Sequence, residues 1–199
     1  ASEWEVEGEI VVGYVGTHGR AHGLVNVLDA AKKITDLPDV RFIFVGAGAM
    51  RDELIKKAEV NNLKNCVFIP PQPKEMMPRI WSLCNVALIH VKNLDVFKTV
   101  IPSKMFEAMG MGLPLLVVSP EGEAKEIVEK DKAGLWIPAG DPQALADAVR
   151  DLYNDKDKMS RLSARSLESA PKHTRERQAR LMIDALESVP ARKKKQGNN

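Results

Sequence analysis

IPSKMFEAMGMGLPLLVV, residues 101–118, packs a loop, a short helix and a buried strand into one continuous run. Pro102 and Ser103 have the chemistry of a helix start, since proline tolerates the first turn and serine can cap free backbone N–H groups. Lys104 follows at once, which puts an ammonium beside unpaired N–H donors at the positive end of a helix. That combination suits a phosphate better than a neutral ligand. Glu107, one turn on, is within reach of a polar group carried by such a phosphate, sugar hydroxyls among them. Gly110 and Gly112 let the helix end, and the apolar run 113–118 has the character of a buried strand. Taken alone, the same letters fit an ordinary strand–helix–strand unit with its charges in water. The neighbouring runs decide.

Upstream, EIVVGYVG (9–16), VRFIFVG (40–46), CVFIP (66–70) and VALIHV (86–91) are short, apolar and rich in β-branched residues; downstream, GLWIP (134–138) is the same. Between them, apolar residues recur at helical spacing. Leu24, Val27, Leu28, Ala31 and Ile34 form one such face, and Leu145, Ala148, Val149 and Leu152 after Asp141-Pro142 form another. Further helices are predicted over 50–60, 73–83, 122–130, 158–167 and 174–189, the last with Ala179, Met182, Ile183 and Leu186 at core spacing. Residues 92–101 show neither period. Six apolar strands alternating with helices predict an α/β, doubly wound, Rossmann-like parallel sheet in the order 3-2-1-4-5-6, with extra helices at its C-terminal end. A ligand then sits at the carboxyl ends of the strands, where the first and fourth are neighbours. The loops after strands one to four carry the unusual residues.

The chain has 199 residues, 44% hydrophobic and 28% charged, with a net charge of +2, which argues against bulk attraction to nucleic acid. Residues 1–8 read as a linker, 9–170 as the Rossmann-like domain, 171–190 as a terminal helix and 191–199 as a basic, disordered tail. No apolar run has membrane-spanning length, and the start ASEWEVEGE is acidic, unlike a secretion signal. Cys66 and Cys84 lie in apolar contexts without CxxC spacing, which fits reduced thiols and a cytoplasmic location. His18 and His22 are four apart but lie in a turn without a third ligand, so a polar loop role is favoured over metal. His90, inside the fourth strand, reads first as a hydrogen-bonded core histidine, at a strand end where a functional role stays open.

Four stretches together carry a family resemblance: GYVGTHGRAHGLVNVLDAA (13–31), FIFVGAGAMRDELIKKA (42–58), IPSKMFEAMGMGLPLL (101–116) and GLWIPAGDPQALADAVRDL (134–152). Their order and spacing resemble the nucleotide-sugar-binding half of GT-B glycosyltransferases of group 1, or family 4. These are retaining enzymes that build bacterial and archaeal surface polysaccharides. The pair Gly46-Ala47-Gly48 is only a partial GxGxxG and does not by itself mark a dinucleotide site.

The resemblance implies a donor site with named parts. Family members place an Arg after the first strand and a Lys before the glycine that opens the first helix; here those positions read Thr17 and His22, with Arg20 between them. Lys104, Arg20 and His22 are therefore the expected catalytic groups, with Ser103 beside Lys104 at the diphosphate. Of two family glutamates eight apart, Glu107 matches the second, which clamps ribose hydroxyls, and Thr99 stands at the first. Gly16, Thr17, Gly19, Gly48 and Pro102 are expected to line the donor, and Gln72 and Pro73 to lie against its base. The implied substrate is a nucleotide sugar, a UDP-sugar above others, with no cofactor and no metal. A second, N-terminal acceptor-binding domain is expected as partner. Peripheral association of the full enzyme with the inner face of the membrane is compatible. Two other readings stay open. One is a non-catalytic nucleotide- or protein-binding Rossmann module, suggested by Thr17, His22 and Thr99. The other is a fragment of a GT-B-type nucleotide-sugar epimerase, which calls for more acidic and histidine side chains in the cleft.

Overall fold

The computed structural model describes residues 10–188. The expected linker and basic tail fall outside that range. Six strands, β1 (Ile10–Val15), β2 (Val40–Val45), β3 (Cys66–Ile69), β4 (Val86–His90), β5 (Leu115–Ser119) and β6 (Gly134–Pro138), form one sheet in the order β3-β2-β1-β4-β5-β6. Every pairing is parallel, with Ile10 opposite Val40 and Val12 opposite Val86. This is the predicted doubly wound topology, and β1 does neighbour β4. The central strands β1, β4 and β5 are buried at every position, which is why they read as unbroken apolar runs rather than alternating ones.

Helices cover both faces. On one side α1 (Val25–Lys32), α2 (Arg51–Val60) and α6 (Pro142–Asn154) bring Leu28, Leu54 and Leu145 onto Val12, Phe42 and Leu116. On the other, α3 (Met77–Trp81), α4 (Lys104–Gly110) and α5 (Glu123–Asp131) bring Ile80, Met105 and Val128 onto Val11, Ile43 and Val117. The start of α6 forms as its sequence demands: Pro142 sits in the first turn, and the Asp141 carboxylate accepts from the Ala144 N–H at 2.9 Å. Next, α7 (Lys156–Ser169) is pinned to the turn after α4, its Ser163 and Ser166 hydroxyls donating to the carbonyls of Gly112 and Leu113.

Several local expectations need correction. The helix expected over 73–83 is a 3₁₀ turn, Lys74–Met76, followed by a five-residue α3, because Pro78 confines the α-helix to what can follow its missing N–H. The featureless loop 92–101 contains a 3₁₀ turn, Asp95–Thr99. Ser103 caps nothing: its backbone is already helical (φ −55, ψ −29), so its hydroxyl is not presented to the first free N–H groups. Finally, α8 (Arg175–Ser188) buries no residue, and its Met182 and Leu186 are 67% and 68% exposed. Core spacing there faces no core among the described residues. Just before it, His173 is fastened to Asp131 (Nε2 to Oδ2, 2.5 Å) and stacked on Phe106 of α4 at 4.7 Å.

Candidate functional site

At the carboxyl ends of β1 and β2 two loops lie backbone against backbone. The His18 N–H donates to the Ala47 carbonyl at 2.8 Å, and the His18 carbonyl accepts from Met50 N–H at 2.9 Å. No side chain fits between them. A Cβ on Gly46 would stand 2.1 Å from the Gly16 carbonyl oxygen, and one on Gly48 would stand 2.5 Å from that of His18. Both glycines also hold φ values, +141 and +152, that other residues rarely adopt. The partial glycine motif therefore serves loop-to-loop packing. Gly48 does not line the cleft itself; its close approach is to the backbone of His18 in the β1 loop.

Gly16 has a second neighbour. The Nζ of Lys104, from α4, lies 2.7 Å from where a Gly16 Cβ would be, and 4.1 Å from the centroid of the Tyr14 ring. Tyr14 is wholly buried, and its hydroxyl donates to the Thr17 carbonyl at 2.8 Å. His18 and His22 flank the same ring, at 5.9 and 6.0 Å between centroids. Beneath them His90, at the end of β4, donates from Nδ1 to the His22 carbonyl at 2.6 Å; a carbonyl only accepts, so Nδ1 carries the proton. Both ring nitrogens of buried His18, Nδ1 of His22 and Nε2 of His90 have no hydrogen-bond partner among the described residues.

The loops after β1, β2 and β3 share one cleft of about 280 Å³, lined by Gly16, Thr17, Gly46, Ala47, Pro71 and Gln72 among others. Gly19 and Arg20 line a separate recess of about 180 Å³ with Lys92 and Met50, which shares no lining residue with the cleft, and Arg20 is exposed. Pro73 is exposed at the start of the 3₁₀ turn that follows Gln72. Thr99 and Ser103 are exposed and Pro102 half-buried on the approach to α4. That approach is seated by Gly122, where a Cβ would meet the Lys98 carbonyl oxygen at 2.1 Å. A larger hollow of about 430 Å³, between α2 and β3, shares no residue with the cleft. No group of three or more His, Cys, Asp or Glu side chains arranged to hold a metal exists among the described residues.

The family model for glycosyl transferases group 1 matches residues 2–168. The chain belongs to the group 1 glycosyltransferases. It is 27% identical over 190 residues to the D-inositol 3-phosphate glycosyltransferase of Corynebacterium urealyticum, covering 90% of this chain and 43% of that protein. To the O-antigen chain mannosyltransferase C of Escherichia coli it is 26% identical over 156 residues, 77% of this chain and 39% of that one. The chain thus spans less than half the length of these relatives. Among solved structures it resembles HepE of Anabaena in complex with UDP and glucose (TM-score 0.77, 21% identity, 93% of this chain and 50% of that one). Sucrose-phosphate synthase of Thermosynechococcus elongatus is similar too (TM-score 0.73, 22% identity, 90% and 45%). At those identities the likeness shows the fold: this glycosyltransferase chain is one Rossmann-like half of a GT-B architecture.

The electrostatics of this group 1 site are set by burial. Desolvation lowers the Lys104 pKa to about 8, partly offset by Glu107, and no carboxylate or carbonyl bonds its ammonium among the described residues. Burial likewise lowers His18 and His90 to about 4 and lowers His22, with Lys104 adding to each, so at neutral pH all three rings are uncharged. Among the described residues the Lys104 ammonium has no ion-pair partner, and it lies beside Gly16, which lines the cleft. With only seven residues, α4 offers a weak dipole, and Lys104 rather than the helix end supplies the charge. Glu107 is exposed one turn later and makes no ion pair among the described residues. Sequence reasoning missed Tyr14 altogether; the one signal was an aromatic with a polar tip near the end of an otherwise aliphatic strand.

Proposed function

We propose that this chain is the donor-binding domain of a retaining glycosyltransferase that takes a UDP-linked sugar and delivers it to a glycan or lipid-linked acceptor. The observation that carries this reading is Lys104, an ammonium without an ion-pair partner among the described residues, held over Tyr14 and against Gly16, which lines the cleft. In transfer, the bond between the anomeric carbon and the diphosphate breaks as a bond to an acceptor hydroxyl forms. Negative charge gathers on the departing diphosphate, and Lys104 meets it where little water competes. His22, neutral, adds a hydrogen bond rather than a charge, and Arg20, exposed in the same loop, reaches toward the diphosphate. Glu107 accepts from the ribose hydroxyls, and the base lies along Pro71, Gln72 and Pro73. UDP complexes of a structural neighbour agree with this choice of nucleotide. The acceptor is held by a part of the enzyme other than this domain, which works at the cytoplasmic face of the membrane by peripheral association. No helix among the described residues is long and apolar enough to cross a membrane.

Titration calorimetry of the chain with UDP, GDP and UDP-sugars tests the reading. UDP and at least one UDP-sugar are expected to bind, with GDP weaker. Binding of GDP without UDP would overturn the choice of base, and no binding by either would overturn the donor site.

A further inference from the structure

We infer that Tyr14 is a positioning residue for Lys104, setting the ammonium that meets the donor's diphosphate. The inference rests on the diphosphate role proposed above for Lys104. A lysine taken partly out of water, as half-buried Lys104 is, is ordinarily held by a carboxylate or by carbonyl oxygens. Lys104 has neither among the described residues. What holds it is the negative face of the Tyr14 ring, 4.1 Å from Nζ, with the side-chain-free backbone of Gly16 closing the other side. The ring cannot drift. It is wholly buried, and its hydroxyl is tied to the Thr17 carbonyl. One side chain therefore touches three parts of the site: the β1 loop through Thr17, α4 through Lys104, and the 3₁₀ turn Arg20–His22 through the edge contact with His22.

A ring is a suitable support for a cation that must later serve an anion. It holds the ammonium by a neutral ring face with no negatively charged partner, so the N–H groups that point away from the ring remain for phosphate oxygens. A carboxylate in the same place would compete with the diphosphate for both charge and donors. The proposed device thus trades binding strength in the empty site for an unspent cation.

The test uses the chain with Tyr14→Phe and Tyr14→Leu. Phenylalanine keeps the ring and removes the hydroxyl; leucine removes both. Proton–carbon NMR of the parent should show the Lys104 ε-methylene protons shifted upfield by the ring current. The shift should persist in Tyr14→Phe and vanish in Tyr14→Leu. Calorimetry with UDP and uridine at pH 7 should show Tyr14→Leu losing UDP affinity about fivefold or more with uridine unchanged. Tyr14→Phe, which keeps the ring but loses the tie to Thr17, should lose less UDP affinity than Tyr14→Leu, with uridine again unchanged. An unshifted Lys104 signal in the parent overturns the positioning role whatever the variants do, including a leucine variant that fails to fold. Equal losses for UDP and uridine, or no loss in Tyr14→Leu, overturn it as well. A parent with the upfield signal but no affinity for UDP overturns the diphosphate reading itself, and the role for Tyr14 falls with it.

Discussion

Lys104 and Glu107 make different predictions because they meet different parts of one ligand. A hydrogen bond to a charged acceptor contributes roughly 1.5–3 kcal/mol, so Glu107→Ala should weaken UDP and uridine alike by about tenfold or more. Lys104→Ala should weaken UDP more than uridine, since only UDP presents charge to the ammonium. Calorimetry on the two variants checks both, and an equal loss of both ligands in Lys104→Ala would remove the phosphate role. The lysine also predicts a pH dependence. With a pKa of about 8 it is charged below that value and neutral above it, so UDP affinity should decline as pH rises through about 8. The buried histidines act on stability instead. His18 and His90 titrate near 4 when folded, against about 6.5 for a solvated imidazole. Between those values the unfolded chain binds more protons, so stability should fall as pH drops from about 6.5 toward 4. Denaturant melts at several pH values would show it, and a flat profile would mean the rings find partners. Lys104 and Glu107 were legible in the sequence because they lie one turn apart in a single motif. Tyr14 was not, because its role exists only when β1 and α4 are brought together.

At the level of elements, the strands were readable for a physical reason: a sheet buried on both faces needs continuous apolar runs, and β1, β4 and β5 supply them. Turns decided by backbone geometry were harder. Nothing in the letters of 95–99 announces a 3₁₀ turn, and Ser103 has a capping side chain on a backbone that does not present it. Glycines show the same divide, since Gly48 and Gly110 look equivalent in sequence and are opposite in structure. An alanine at Gly48 would face the His18 carbonyl at 2.5 Å with φ +152; at Gly110, in the last turn of α4, nothing lies within 4 Å. Gly48→Ala should therefore destabilise the domain by about 2 kcal/mol or more, by forcing the β1 and β2 loops apart. Gly110→Ala should stabilise it by roughly 0.5–1 kcal/mol through helix propensity alone. Chemical denaturation of the two variants gives both signs. A tolerated Gly48→Ala would show that the loops can separate without cost.

For the molecule as a whole, the most telling feature is an amphipathic helix without a core. Leu181, Met182, Ile183 and Leu186 give α8 an apolar stripe that this chain leaves exposed, while His173, Asp131 and Phe106 fasten the segment before it to α4 and α5. The spacing of that stripe was legible in the sequence. Its exposure was not, because amphipathicity says that a face is to be covered and not by what. The chain spans less than half of its curated relatives, and on the function proposed above it supplies the donor site alone. Holding two reactants in line contributes roughly 7–11 kcal/mol of a bimolecular barrier, and a donor site alone forgoes most of it. The expectation is therefore nucleotide-sugar binding without transfer. It is checked by incubating the chain with a UDP-sugar that calorimetry shows to bind, together with simple glycan and lipid-linked acceptors, and following release of UDP. Slow hydrolysis of the donor is compatible with one correctly placed ammonium and no acceptor. Sustained transfer, saturable in the acceptor, would mean that these residues form an acceptor site as well, and that the exposed stripe of α8 awaits something other than the rest of the enzyme.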